Sequence, residues 1–286
     1  MPTNIRTVRE RALARLADAG VPDPAVDVEL LLGHVLAMSR GEVQAKVAMD
    51  AALVDADIAE FDKCVARRAA REPLQHITGT APFRHRELLV GPGVFVPRPE
   101  TEQVAQFAID ALQAAAEPEP IAVDLGTGSG AIAIAMASEV PRSRVFAVEL
   151  SPEAHEWAAR NVAASGVTNL ELRRGDLADA FPDLNGQVAV VISNPPYVPT
   201  DAIPRDPEVR LFDPAMALYG GVDGLDLVRA LSHTAWRLLH SGGTLVIEHG
   251  ELQGAEIRAL LSAEGWRATA THPDLLGRDR ATMALR

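Results

Sequence analysis

From residue 121 onward, short apolar runs alternate with segments of helical periodicity, and no other feature constrains the fold as much. IAVDLG, RVFAVEL, LELRRGD, VAVVISN and TLVIEHG read as strands. AIAIAMASEV, PEAHEWAARNVAASG, LDLVRALSHTAWRLLH and ELQGAEIRALLSAEG read as helices. Alternation of this kind predicts an α/β domain whose mostly parallel, doubly wound sheet is covered by helices on both faces. The final runs, WRATATHP and ATMALR, suit an antiparallel pair closing one edge. Ligands of such sheets bind beyond the carboxyl ends of the strands, near the point where strand order reverses.

Residues 1 to about 80 read differently, as helix throughout. Ile5, Val8, Ala12, Leu13 and Leu16 recur at helical spacing, as do Val28, Leu31, Leu32, Val35 and Leu36. Asp23 is expected to cap the second helix, with Pro24 at its first position. A third segment from Leu53 to about Arg71 carries Ile58, Phe61, Val65 and Ala69. Three helices predict a small bundle. In FRHRELLVGPGVFVP two apolar runs flank Gly91-Pro92-Gly93, predicting a β-hairpin linker with its turn there. A further helix is expected from Pro99, with Glu100 and Glu102 in the first turn. The expected division is a helical domain over 1–80, a hairpin linker over 81–98 and the α/β domain over 99–286.

Charge and cysteine usage narrow the function. The net charge is −12, from 27 basic and 39 acidic residues, and residues 1–82 are nearly balanced with 10 against 12. Affinity for phosphate backbones comes from Lys and Arg replacing counterions, so direct nucleic-acid binding is not expected. Cys64 is the only cysteine, so no intrachain disulfide can form. The N-terminus lacks an apolar signal core and no run of about 18 apolar residues occurs. A cytoplasmic protein is expected, with no membrane partner and no metal site.

The strand ends carry the chemistry. The first ends in VDLGTGSG, Asp124 to Gly130, a G-x-G-x-G spacing tighter than that of dinucleotide-binding loops. Gly126, Gly128 and Gly130 let the backbone pass close to a ligand where the next helix begins. The second strand ends in Glu149, whose carboxylate can accept both hydroxyls of a ribose. The third ends in Asp176, placed to meet an adenine amino group. Glycine turns also serve packing alone, and strand-end acids often cap the next helix. Three strand ends in sequence, each with the right residue, are harder to explain that way.

The fourth strand, VAVVIS, breaks at Asn194-Pro195-Pro196-Tyr197. Each proline lacks an N–H and holds φ near −65°, so the Pro195 carbonyl lies on a stiff segment free of competing donors. With the Asn194 side-chain oxygen it offers two adjacent acceptors, suited to the two N–H bonds of a planar NH₂ group. Tyr197 can lie flat against the same group. An amide nitrogen is a poor nucleophile, so holding both its N–H bonds aims it at an electrophilic carbon. The proline-punctuated stretch 198–225 shows little periodicity, as a functional lid or a plain surface excursion would.

Asp124 to Gly130 (with Thr127 and Ser129 between the glycines), Glu149, Asp176 and the adjoining Leu177 resemble the cofactor site of class I methyltransferases. The resemblance implies a Rossmann-like domain binding S-adenosylmethionine: the loop around its methionine portion, Glu149 on ribose, Asp176 and Leu177 at adenine, and Asn194 closing the site. The Asn-Pro-Pro-Tyr string is similar to that of enzymes methylating adenine N6, guanine N2 or glutamine N5. EPLQHITGTAPFRHRELLVGPGVFVPRPETE, DPAMALYGGVDGL and DLLGRDR narrow the resemblance to the peptide chain release factor glutamine methyltransferases, over essentially the whole chain. This implies N5-methylation of the glutamine in the Gly-Gly-Gln loop of release factors. Asn194, Pro195, Pro196 and Tyr197 would hold that glutamine, and the helical domain would help dock the release factor. The alternatives are a ribosomal-protein glutamine or, more distantly, a nucleic-acid adenine. The acidic total argues against the adenine, and the glycine spacing argues against an NAD-dependent oxidoreductase. Two positions depart from expectation: Leu177, where an aromatic would stack on adenine, and His249, where a small or apolar residue is expected.

Overall fold

The computed structural model describes residues 3–286 and divides into two compact units. One, all helical, runs to Thr80 and includes Pro204–Phe212; the other, α/β, comprises Ala81–Ile203 and Asp213–Arg286.

The helical unit begins with α1 (Ile5–Asp18), α2 (Pro24–Leu36), α3 (Arg40–Ala48), α4 (Asp55–Ala69) and α5 (Leu74–Thr78). Its core gathers Ile5, Val8 and Leu16 with Val28, Leu31, Leu32, Val43, Phe61 and Val65. Helix α3 was not expected, because its nine residues bury only Val43 and so show little apolar period. It is started instead by a capping box: Ser39 accepts from the Glu42 N–H, and Glu42 accepts from the Ser39 N–H. Asp23 occupies the N-cap position of α2, but its side chain makes no capping hydrogen bond, contrary to expectation. Pro24 does stand at the helix start.

In the α/β unit, β1 (Thr80–Phe83) and β2 (Arg86–Leu89) form a separate two-stranded sheet. Its turn is Arg84-His85, with Arg84 at φ 52°, and not Gly91-Pro92-Gly93. Gly91-Pro92-Gly93 does form a turn, after β2 and outside the hairpin: the Val94 N–H donates to the Gly91 carbonyl at 3.4 Å and Gly93 has φ 89°. A Cβ on Gly91 would meet the Trp157 ring at 2.5 Å, and the Trp157 indole N–H donates to the Pro92 carbonyl at 3.1 Å. Then follow α6 (Pro99–Ala114), β3 (Ile121–Leu125), α7 (Ala131–Glu139), β4 (Arg144–Glu149), α8 (Pro152–Ser165), β5 (Leu170–Arg174) and β6 (Val188–Ser193). The chain next contributes α9 (Pro207–Phe212) to the helical unit. It continues as α10 (Asp226–Leu238), β7 (Leu239–Glu248), α11 (Gly254–Ala263), β8 (Arg267–Pro273) and β9 (Asp279–Leu285).

The main sheet has the order β5-β4-β3-β6-β7-β9-β8. The first five strands are parallel; β9 runs antiparallel between β7 and β8, as the sequence leads one to expect. Successive side chains point to opposite faces. Ala122, Val145, Ala147, Val190, Ile192 and Val246 pack with α6 and α7. Val123, Phe146, Val148, Val191, Leu245 and Ile247 pack with α10 and α11. Burial on both faces explains the near-continuous apolar runs. Strand order reverses between β3 and β6, which puts the glycine loop and the Asn-Pro-Pro-Tyr segment side by side at the carboxyl edge.

The stretch 198–225 is well organised. Its α9 is fixed in the helical unit by charge: the Glu208 carboxylate takes Arg68 Nη1 at 2.7 Å and Arg71 Nη2 at 2.6 Å, while Asp27 takes Arg68 Nε at 2.6 Å. Burial alone would raise the pKa of Glu208, but the arginine hydrogen bonds outweigh it and hold the group down to about 2. Among the described residues no helix is long and apolar enough to cross a membrane.

Candidate active site

Gly126, Gly128 and Gly130 have φ of 76°, 58° and 84°, backbone that favours glycine. At Gly130 packing also matters, since a Cβ would meet Ile134 at 3.3 Å. At Gly126 and Gly128 a Cβ would meet nothing within 4 Å. The space above these two glycines is therefore an open cradle and not a packed contact, which fits a ligand lying on the loop. The Gly126 and Thr127 N–H groups donate to the Val148 carbonyl, tying the loop to the end of β4. Asp124 is fully buried and accepts from Thr127 Oγ1 at 2.5 Å. Burial pushes its carboxyl up to about 7, against the opposing pull of Thr127 and the Ala133 N–H. Thr127 and Ser129 are buried as well.

Glu149 organises the same loop. One oxygen accepts the Gly128 N–H and the other the Ser151 N–H, each at 2.8 Å. A carboxylate has about four lone-pair sites, so both oxygens can still accept hydroxyls. Asp176 is exposed and caps the short 3-10 turn Leu177–Asp179 through Oδ1, which accepts the Ala178 N–H at 2.9 Å. The capping role weighed for strand-end acids is thus present, with Oδ2 left over. Leu177 is half-buried against the sheet core.

Pro195 is buried, while Asn194, Pro196 and Tyr197 are half-buried. Asn194 Nδ2 donates to Thr101 Oγ1 at 3.4 Å, and the Asn194 side chain favours the charged form of the neighbouring Glu248 carboxyl. With its nitrogen engaged inward, Oδ1 is the acceptor that remains. Among the described residues nothing donates to the Pro195 carbonyl. The Tyr197 carbonyl, by contrast, accepts Gln253 Nε2 at 3.0 Å. Burial pushes the Tyr197 phenol up to about 12, keeping it neutral. The structure thus brings Asn194 and the Pro195 carbonyl together as neighbouring acceptors, on a segment held from behind. The glycines of YGGVDG form that backing. A Cβ on Gly220 would come within 2.4 Å of the Pro196 carbonyl oxygen.

Several residues of the site were not found from sequence. Asn161 on α8 is 2% exposed; it accepts the Leu89 N–H and donates to the Leu89 and Ser129 carbonyls, clamping the glycine loop to β2. Thr101 and Glu248 have the buried contacts with Asn194 just described. A polar residue inside a helix pattern, or at a strand end already rich in acids, carried no distinct signal. His249 is fully buried between the Gly250 carbonyl on Nδ1 and Thr282 Oγ1 on Nε2, each 2.9 Å away. The carbonyl requires Nδ1–H, so Nε2 accepts, and burial lowers the pKa and keeps the ring neutral. Among the described residues no group of three or more His, Cys, Asp or Glu is placed to hold a metal.

The family model PrmC N-terminal domain matches residues 7–79, and the Methyltransferase small domain matches residues 86–221. The release factor glutamine methyltransferase of Streptomyces coelicolor is 53% identical over 96% of this chain and 95% of its own. That of Bifidobacterium longum is 43% identical over 98% of this chain and 99% of its own. A 4-amino-L-phenylalanine/4-methylamino-L-phenylalanine methyltransferase of Streptomyces pristinaespiralis is 38% identical over 92% of this chain and 89% of its own.

Proposed function

The chain belongs to the release factor glutamine methyltransferase family, and from that premise we propose that it transfers a methyl group from S-adenosylmethionine to the side-chain amide nitrogen of a release-factor glutamine. The observation that carries this reading is the pair of unspent acceptors, Asn194 Oδ1 and the Pro195 carbonyl, beside an open glycine cradle. The target is the glutamine of the Gly-Gly-Gln loop.

The residues divide the task. Gly126 to Gly130, with Asp124 beneath them, cradle the methionine portion of the cofactor; Glu149 accepts ribose hydroxyls and Asp176 the adenine amino group, with Leu177 against the ring. Bound S-adenosylmethionine supplies a methyl carbon activated by a sulfonium. Asn194 and Pro195 each accept one N–H of the glutamine amide, and Tyr197 and Pro196 confine its plane, so the nitrogen lone pair points at that carbon. The nitrogen would bond to that carbon while the cofactor's sulfur took up the electron pair of the C–S bond. The nitrogen then sheds a proton to water, having become acidic on methylation. Orientation of this kind can be worth about 7–11 kcal/mol.

An aromatic amine also presents a planar, conjugated NH₂, so the phenylalanine-derived substrate named for the Streptomyces pristinaespiralis relative suits the same two acceptors. The grip therefore selects a class of nitrogen. The match of residues 7–79 to the PrmC N-terminal domain favours the release factor, with the helical unit as its docking surface. The test is incubation with labelled S-adenosylmethionine and, in parallel, a release factor and 4-aminophenylalanine, followed by mass spectrometry. Methyl on the Gly-Gly-Gln glutamine supports the proposal; label on the amine alone refutes it.

A further inference from the structure

The Asn194 side chain can serve as an acceptor only in one of its two flip states, and its oxygen and nitrogen ends have nearly the same shape. Turned over, it would point N–H bonds at the N–H bonds of the substrate. Something must select the state. Ser193 pairs with Ile247 across β6 and β7, so the next residues, Asn194 and Glu248, leave adjacent strand ends side by side. Glu248 is 2% exposed and Thr101, reaching in from the first turn of α6, is 4% exposed. Thr101 Oγ1 accepts from the Asn194 nitrogen at 3.4 Å, and Glu248, beside Asn194 at the strand ends, interacts favourably with the same side chain.

We infer that Glu248 is a positioning residue for methyl transfer: its carboxylate, acting with Thr101 Oγ1, holds the Asn194 nitrogen inward and so turns Oδ1 toward the substrate amide. This rests on the reading of Asn194 as the amide grip. An ionised carboxylate can only accept, so it admits only the Nδ2 end of Asn194. A protonated carboxyl would donate, and would draw Oδ1 inward instead. The arrangement is a poor one for stability. Burying a carboxylate is unfavourable unless its oxygens are satisfied, and Glu248 Oε2 has no hydrogen-bond partner among the described residues. A carboxylate kept at such a cost, one side chain from the acceptor, is explained by what it does to that acceptor.

The groups that face Glu248 bear on its ionisation. Arg280 on β9 favours the charged form and Glu100 on α6 opposes it; the Tyr197 phenol, from the segment after β6, and the neighbouring His249 are both neutral. Burial prevails and raises the carboxyl to about 7. The ionised form is the competent one, so kcat should climb as pH rises through about 7 and level off above it.

The test is single-turnover methyl transfer to a release factor across that pH range, with cofactor affinity measured alongside, for Glu248→Gln, Thr101→Val and Asn194→Ala. Glu248→Gln keeps the size but can present N–H to Asn194. It should lower kcat by at least about tenfold, leave S-adenosylmethionine affinity unchanged and abolish the limb near pH 7; Thr101→Val should lower kcat in the same sense. A folded Glu248→Gln protein with parental kcat and the parental limb overturns the inference, as does a loss confined to cofactor binding. Should Glu248→Gln fail to fold, the near-isosteric Thr101→Val decides alone, and a parental kcat there is equally fatal. Asn194→Ala separates the two readings. If it is impaired while Glu248→Gln is not, only this inference falls; if it transfers methyl at the parental rate, the amide grip falls as well.

Discussion

Gly224 lies against Tyr197 so closely that a Cβ on it would come within 2.3 Å of the Tyr197 carbonyl oxygen. Its φ of 77° adds a second reason for glycine. The YGGVDG turn is thus moulded to the back of the segment whose front carries the two acceptors. Gly224→Ala must push that segment forward. A misplacement of about 1 Å can cost 10²-fold in rate, and a kcat loss of that order is expected with cofactor affinity retained. Single-turnover kinetics beside calorimetric titration check this; a parental kcat would show that the turn does not set the position of the grip.

Asp124 should leave a mark on stability against pH. Burial raises its carboxyl from 3.8 to about 7. Between those values the folded state holds a proton that the unfolded state has released, so this group's contribution to stability falls as pH rises. The penalty is absent below about 4 and complete above about 7. Asp124→Asn removes it. The stability difference between variant and parent, read by denaturant unfolding, should therefore shift in favour of the variant by a few kcal/mol between pH 5 and pH 8. A difference independent of pH would mean that Asp124 is not buried in its charged form.

Asn161 joins β2 to the glycine loop through three hydrogen bonds. Asn161→Ala leaves the Leu89 N–H and two carbonyls without partners, a loss of about 1–3 kcal/mol. The loop also loses its anchor at Ser129, so cofactor affinity should drop with stability. Calorimetric titration and denaturant unfolding would show both, and unchanged values in each would remove Asn161 from the site.

Much of the fold was legible because the sheet is buried on both faces: runs such as VAVVIS cannot be anything but core. The strand-end residues were legible for a related reason, since a glycine, acid or amide following such a run interrupts it visibly. What escaped lacks that contrast. Helix α3 is short and nearly all exposed, so only its capping box marks it. Gly91 opens a turn, as its sequence suggests, but a turn after β2 and not within the hairpin, and nothing near it in sequence announces Trp157, 66 residues away. Asn161, Thr101 and Glu248 act through partners brought close only by the tertiary fold.

Glu149 holds the glycine loop and, in the proposed reading, the ribose as well, so its removal should be costly. Charge-assisted hydrogen bonds are worth about 1.5–3 kcal/mol, and Glu149→Ala also frees the Gly128 N–H. At least a tenfold loss of S-adenosylmethionine affinity is expected in a protein that remains folded by circular dichroism. Equal affinities on calorimetric titration would withdraw the ribose assignment.

The central claim is that the end of β6 aims an amide nitrogen, and Asn194→Ala addresses it most directly. The substitution removes one acceptor while leaving both prolines and the glycine cradle in place. The glutamine amide would keep its bond to the Pro195 carbonyl and be free to turn about it. Single-turnover methyl transfer to a release factor should slow by at least about 10²-fold with cofactor affinity little changed. Transfer at near the parental rate would contradict the account, because Asn194 could not then be the group that holds the nitrogen in line.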